Sequence, residues 1–230
     1  MLYTDVAAYR TADGAFSLFR AGTDKSTDAV LDGAAPYWRL ALQHSWGEGG
    51  AHSAMVGAFG IDARKFPESL DPTGPTDRFV DMGFDTQYQY VTDRHRFSAQ
   101  ASFIHEKQTL DGSFASGGAS SATNTLRSFK AKATYYYDKQ YGGTLAYFRT
   151  SGTSDDALYN TGDPVTGSAN ASPDSNGWIF ELDWLPRRDI RIAAQYTGYQ
   201  KFNGARSNYD GFGRNARDND TLYLIAWLMF

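Results

Sequence analysis

The sequence predicts an all-β protein, an antiparallel transmembrane β-barrel of the bacterial outer-membrane type. Three observations predict this fold class. Apolar and polar residues alternate along almost the whole chain, short and long connections alternate between these segments, and the last segment is an alternating strand that ends in Phe230. In such barrels alternate side chains face lipid and lumen, and short turns lie on one side of the membrane with long loops on the other. We therefore expect residues 1–230 to form a single barrel domain.

Composition excludes several other classes of protein. The 230 residues carry a net charge of −4, contain no cysteine and include 15 Tyr, 15 Phe and 5 Trp. No segment approaches the roughly 20 apolar residues of a membrane-spanning helix, and no basic stripe suits nucleic acid. The absence of cysteine excludes disulfides, Cys-ligated zinc and covalent haem attachment within these residues. The mean hydropathy of −0.50 is expected of a barrel, because only alternate residues face lipid.

The clearest alternation lies between Phe79 and Tyr90, where the even positions are mainly apolar and the odd positions mainly polar. The short polar turn 92–95 joins this segment to a second alternating segment, Phe97–Phe103, and the two predict a long hairpin. Similar alternation predicts about eleven strands, within the range that a tilted membrane strand needs. The expected strands are Tyr3–Arg10, Ala15–Arg20, Tyr37–Trp46, Ser53–Ile61, Phe79–Tyr90, Phe97–Phe103, Phe129–Tyr137, Thr144–Thr150, Trp178–Trp184, Ile190–Thr197 and Thr221–Phe230.

The connections between these strands are alternately short and long. The short ones are expected at 11–14, 47–51, 92–95, 138–142 and 186–189, and the long ones at 22–35, 62–76, 110–124, 151–176 and 203–220. A soluble sandwich also shows alternation but has no reason to lengthen every second connection. Aromatic residues near strand ends, such as Trp38 with Trp46 and Trp178 with Trp184, are typical of the interfacial girdles of membrane barrels.

The terminal strand resembles the insertion signal of bacterial outer-membrane proteins. Its apolar face comprises Leu222, Leu224, Ala226, Leu228 and Phe230. With a periplasmic C-terminus, an odd number of strands makes the first strand begin outside the cell. Bacterial barrels have even strand numbers, and Met1–Asp5 does not resemble a secretory signal. We therefore expect an N-terminally truncated chain, with 12 or more strands in the intact protein.

Charged residues of both signs share the parity of the predicted lumen face. The candidate pore-lining residues are Arg39, Asp81, Asp85, Lys130, Lys132, Glu181, Asp183 and Arg191. Unpaired buried charge is costly, so two interpretations stay open. These residues form ion-paired belts across a narrow lumen, or they line opposed walls of a water-filled pore.

No residues indicate catalysis, cofactor binding or a metal site. His44, His52, His95 and His105 lack the spacing of a zinc site. Neighbouring Ser and His residues on a strand point to opposite faces, so neither His44-Ser45 nor His52-Ser53 forms a dyad by itself. We expect a non-enzymatic protein with no cofactor.

Four segments resemble a proteobacterial family of porin-like barrels often labelled cytochrome c: Ala34–Ala41, Gly74–Phe79, Phe103–Gln108 and Ser207–Gly211. Full-length members carry a Cys-x-x-Cys-His haem motif before the barrel, and no residue of this cysteine-free chain matches that motif. The resemblance implies a place in the bacterial outer membrane near electron transfer, through a haem segment that these residues lack. It also implies a periplasmic cytochrome as a partner, beside outer-membrane lipid, lipopolysaccharide and the barrel insertion machinery.

The expected function is a porin-like channel for small polar solutes or ions. A plugged structural or interaction barrel is the alternative, and an outer-membrane hydrolase is a third. Nucleic acid is not an expected partner.

Overall fold

The computed structural model describes residues 1–11, 30–68 and 72–229. These residues form one antiparallel sheet of eleven strands. The strands are β1 (Leu2–Tyr9), β2 (Val30–Leu31), β3 (Ala35–Trp46), β4 (His52–Phe66), β5 (Asp77–Val91), β6 (His95–Thr109), β7 (Thr123–Tyr137), β8 (Tyr141–Gly152), β9 (Ser175–Arg187), β10 (Ile190–Lys201) and β11 (Thr221–Leu228). The connections contain two short helices, α1 (Asp111–Ala115) and α2 (Asp156–Tyr159), and the 3₁₀ turns Glu48–Gly50 and Ala216–Asn219.

The long strands pair in chain order, as the alternating connections predict. The order is β1-β3-β4-β5-β6-β7-β8-β9-β10-β11, and the two-residue β2 pairs with β4. Among the described residues β1 and β11 do not pair, so the sheet is open. From β3 to β11 each pair is antiparallel because its two strands are consecutive and joined by a hairpin connection.

Most strands are longer than the alternation predicts. The predicted strand Phe97–Phe103 is part of β6, which runs from His95 to Thr109. Beyond Phe103 the residues are mainly polar, yet the backbone pairing continues, with Glu106 opposite Asp81. Hydrophobic periodicity marks where a strand has an apolar face and does not mark where its hydrogen bonding ends.

The start of the chain differs from the expectation. The predicted strand Ala15–Arg20 lies outside the described residues. β1 pairs directly with β3, with Leu2 opposite Leu42 and Tyr9 opposite Ala35. β1 therefore begins at the short-turn end of the sheet, and the expectation that the first strand starts at the long-loop end is wrong. The alternation in a strand carries no information about the direction of the strand. The predicted direction of the first strand depends on counting a short turn at 11–14 after it.

One face of the sheet is apolar and the other is polar, and the apolar face is the more exposed of the two. The apolar face, which carries Phe84 and Leu182, is the more exposed one: these side chains are 59% and 73% exposed. The polar face carries Asp85 and Asp183, and Asp183 is only 5% exposed. An antiparallel sheet of a water-soluble protein shows the reverse arrangement, with its apolar face packed on a core.

The buried apolar residues confirm that the sheet has no conventional core. In the described part of the chain, the strands contribute only alanines to the buried apolar set, namely Ala35, Ala41 and Ala193. The larger members, Leu110 and Tyr209, lie in the long connections. The described ranges include no helix with the length and apolar character needed to cross a membrane.

The long connections pack against one another at one end of the sheet. The buried Asp155 carboxylate accepts hydrogen bonds from the backbone N–H groups of Ser120, Ser121 and Leu158 at 2.8–3.1 Å and from Asn124 Nδ2 at 3.0 Å. This Asp155 clasp ties the β8–β9 connection to the β6–β7 connection. Tyr209 is fully buried and donates its hydroxyl to the Val165 carbonyl at 2.8 Å.

Candidate functional site

The pairing register places all the candidate pore-lining residues on the polar face. Asp85 lies opposite Ser102, and Ser102 lies opposite Lys130. Gln87, Gln100 and Lys132 form the next row of the same face in the same way. The sequence prediction of a shared face is consistent with this register, because side chains that oppose each other in a ladder point to one side of a sheet.

The first charged cluster joins β3 to β5 across β4. The Arg39 guanidinium contacts the Asp85 carboxylate at 2.6 Å, and both side chains are about one-fifth exposed. Gly57 lies between them, and a Cβ at that position would collide with the Asp85 carboxylate. Arg39 also lies 5.7 Å from the centre of the Phe59 ring, so the guanidinium is held by a charge and an aromatic face together.

The second cluster joins β7, β9 and β10. Arg191 lies between Glu181 at 2.8 Å and Asp183 at 2.6 Å. Gln195 Nε2 donates to Glu181 at 2.6 Å, and the Tyr136 hydroxyl donates to Asp183 at 3.0 Å. The Asp183 side chain is fully shielded from solvent, and these donors supply the hydrogen bonds that a shielded carboxylate requires.

Tyr136 also belongs to this cluster, although it is not among the candidate residues that the sequence predicts. Its parity is that of Lys130 and Lys132, so strict alternation along β7 indicates the polar face. Its ring lies over Gly142, where a Cβ would collide with it. The glycine gives the tyrosine its path across β8 to Asp183.

Lys130 and Lys132 lie between the two clusters and, within the described ranges, form no ion pair or hydrogen bond. Pairing of these lysines with the neighbouring acidic strands is therefore not observed. Asp85 is bound by Arg39 instead, because Gly57 leaves that path open, whereas Ser102 stands between Asp85 and Lys130.

A cavity of about 470 Å³ opens on the polar face around these lysines. Its polar lining includes Asp85, Gln87, Gln100, Lys130 and Lys132. Gln100 Nε2 donates to Gln87 Oε1 at 2.9 Å. Amide groups beside two unpaired ammonium groups are suited to hydrogen-bond small polar solutes and to attract anions.

Asp81 has an environment different from that of Asp85. Its cross-strand partner is Glu106, so two acidic side chains stand side by side near the long-loop end of the sheet. Among the described residues the Asp81 Oδ1 atom has no hydrogen-bond partner. Asp81, like Lys130 and Lys132, therefore lies outside both charged clusters.

The predicted insertion residues share the apolar face of β11. Leu222, Leu224, Ala226 and Leu228 lie at alternate positions opposite β10, and Leu224 is 82% exposed. Phe230 lies outside the described residues. The role of this strand in membrane insertion stays a prediction.

The short-turn end of the apolar face carries stacked aromatic rings. Trp46 stacks on His52 with ring centres 5.6 Å apart, and His52 stacks on Tyr90 at 4.8 Å. His52 Nδ1 and the Tyr88 hydroxyl form a hydrogen bond of 2.8 Å. His44 stacks on Trp46, and His95 bonds to a tyrosine as His52 does, so three of the four histidines take part in aromatic packing at this end.

Outside the strands, the pKa values of two loop carboxylates, Asp155 and Asp210, are lowered. For Asp155 burial acts to raise the pKa, but hydrogen bonds from Ser120, Asn124, Leu158 and Ser121 outweigh it, so the pKa is lowered. Asp210 behaves likewise, its pKa lowered against the effect of burial by backbone N–H donors. Both acids are therefore ionised at neutral pH within the packed connections.

No family model of known protein domains matches the chain, and comparison with curated proteins gives no match. The resemblance to porin-like barrels therefore stays a prediction.

Proposed function

We propose that the chain forms a transmembrane β-barrel of a bacterial outer membrane and acts as a channel for small polar solutes or ions. The observation that carries the proposal is the inverted exposure of the two faces, with Leu182 73% exposed beside the shielded Asp183. Lipid stabilises an exposed apolar face of this kind, whereas water does not. The polar face then becomes the lumen.

Closure of the sheet is part of this proposal. An open sheet edge does not occur in the hydrocarbon region, because unpaired backbone groups there cost several kcal/mol each. β1 runs from the short-turn end to the long-loop end, and β11 runs in the opposite direction. Pairing of these two strands would be antiparallel, like every other pair in the sheet.

Two features of the polar face favour a channel: the lysines without an ion-pair partner among the described residues, and the amide-lined cavity. The alternative, a plugged structural or interaction barrel, is favoured by the dense cluster of Arg191, Glu181 and Asp183. Conductance distinguishes the two, because a plug blocks ion flow whatever the charge on its walls. The proposed association with electron transfer rests on the family resemblance alone.

The test is single-channel recording in planar bilayers of neutral lipid. Folded wild-type protein should give discrete conductance steps that favour anions, since Lys130 and Lys132 have no ion-pair partner among the described residues. Lys130→Ala with Lys132→Ala should shift the reversal potential toward cation preference. The control, Lys139→Ala with Arg188→Ala, removes the same charge from short turns and should leave selectivity unchanged. The absence of steps from folded protein would overturn the channel, and unchanged selectivity in the first variant would overturn the role of the lysines.

A further inference from the structure

A row of basic residues follows the loop end of the apolar face. One lysine or arginine lies near the loop end of this face on each of five consecutive strands, β4 to β8. We call this row the basic collar: Arg64, Arg78, Lys107, Arg127 and Arg149. All five are exposed.

The pairing register shows that the collar lies on the apolar face. Arg64 opposes Arg78, and Lys107 opposes Val80. Arg149 opposes Phe129, which in turn opposes Phe103. Toward the long-loop end, Arg78, Arg127 and Arg149 directly follow apolar or aromatic side chains of this face on their own strands. Arg64 and Lys107 follow the polar side chains of Asp62 and His105.

Most of the charge of the collar is not neutralised. Arg78 forms an ion pair with Asp62. In the part of the chain that the structure describes, Lys107, Arg127 and Arg149 form no ion pair or hydrogen bond. Three exposed positive charges thus stand directly beside the apolar face, where protein acids do not compensate them.

Two collar arginines share a groove with aromatic rings. Arg127 and Arg149 line a groove of about 510 Å³ together with Phe103, Phe129 and Tyr147. Guanidinium groups bind phosphate oxygens through two parallel hydrogen bonds, and the rings offer an apolar surface for the hydrocarbon or sugar next to a phosphate. The groove therefore has the chemistry of a site for an amphipathic phosphate ester.

Among the described residues, the opposite end of the apolar face carries no lysine or arginine on the corresponding strands. Where β3 to β8 meet the short turns, the described residues of this face are aromatic or histidine side chains such as Trp46, His52 and Tyr137, without lysine or arginine. The asymmetry indicates two different surroundings. One end suits a neutral interface, and the other suits an anionic one.

We propose that the basic collar binds the phosphate groups of anionic lipids in the leaflet at the long-loop end, with the Arg127–Arg149 groove as its centre. The lipid chains lie on the apolar face, and the collar contacts the phosphates at the edge of that face. This inference rests on the proposed membrane insertion and is independent of conductance.

The test measures lipid binding by protein in neutral detergent micelles. The probe is lipid A with two phosphates, titrated against wild type and Arg127→Gln with Arg149→Gln. The affinity should fall about 30-fold, from the roughly fivefold contribution of each basic side chain near an anionic lipid surface. The matched control, Arg94→Gln with Arg188→Gln, removes two exposed turn charges and should bind lipid A like wild type.

Two further measurements separate the possible outcomes. A neutral glycolipid of the same chain length should bind wild type and variant equally, and inorganic phosphate should not compete at millimolar concentration. An equal loss in the control variant, or competition by inorganic phosphate, would overturn the proposal. The collar variant should keep its conductance in neutral bilayers, so failure of the channel and failure of the lipid site give different results.

Discussion

At the scale of single residues, glycines decide which charged side chains meet on the polar face. Gly57 leaves room for the pair of Arg39 and Asp85, and Gly142 leaves room for Tyr136 to reach Asp183. In both places a side chain crosses an intervening strand where that strand has no Cβ. The polar clusters therefore depend on residues that carry no charge themselves.

Gly142 and its neighbour Gly143 provide a matched pair of substitutions. A Cβ at Gly142 collides with the Tyr136 ring, whereas at Gly143 the nearest atom is the Glu181 carbonyl oxygen at 3.6 Å. Gly142→Ala should lower the free energy of unfolding by about 1–3 kcal/mol, the usual cost of overpacking. Gly143→Ala should change it by less than about 0.5 kcal/mol. Urea unfolding in lipid vesicles, followed by tryptophan fluorescence, measures both, and equal effects would contradict the role assigned to Gly142.

Sequence alternation predicts the faces of individual residues well and their partners poorly. It groups all the candidate pore-lining residues in one face, because side-chain direction has a strict period of two. It does not predict that Asp85 binds Arg39 in preference to Lys130. Which partner Asp85 binds depends on the side chains of the intervening strands that block the path between the charged groups. The pairing register of several strands sets those side chains, so no single strand predicts the partner.

At the scale of elements, the packing of the long connections is the feature that the sequence predicts least well. Their length and their Gly, Ser and Asn content predict loops, and the structure shows them packed through buried aspartates. In the Asp155 clasp, Asp155 binds Ser120 and Asn124, and each of them lies more than thirty positions before Asp155 in the sequence. Hydrogen bonds of this kind follow no periodicity, so no sequence pattern indicates them.

The Asp155 clasp should depend on pH. Its folded pKa is lowered below the unfolded value of about 3.9, so its stabilisation is present above that value and is lost as the pH falls through the folded pKa. Asp155→Asn removes the charge at every pH and should increase hydrogen exchange at the amides of Ser120, Ser121 and Leu158 at pH 7. Wild type should approach the exchange of this variant only below about pH 4. Identical protection of the two proteins at pH 7 would rule out the clasp.

At the scale of the whole molecule, the main feature is the separation of apolar and charged side chains onto opposite faces of the sheet. The apolar face carries the more exposed side chains, the Asp85 and Asp183 carboxylates of the charged face are largely shielded, and the long strands pair in chain order, with β1 and β11 running in opposite directions. Alternation and connection lengths predict the antiparallel order. The direction of β1 depends on its long-range pairing with β3, which local patterns do not encode.

The central claim, that the apolar face lies in lipid and the polar face in water, is tested most directly by single cysteines on β5. The native chain has no cysteine, so each label reports one position. Phe84→Cys and Thr86→Cys place a fluorophore on the apolar face, and Gln87→Cys and Gln89→Cys place it on the polar face. In vesicles, spin-labelled lipids should quench the first pair and aqueous iodide the second. Quenching of the Gln87 and Gln89 labels by lipid, or of all four labels by iodide alone, would contradict the account.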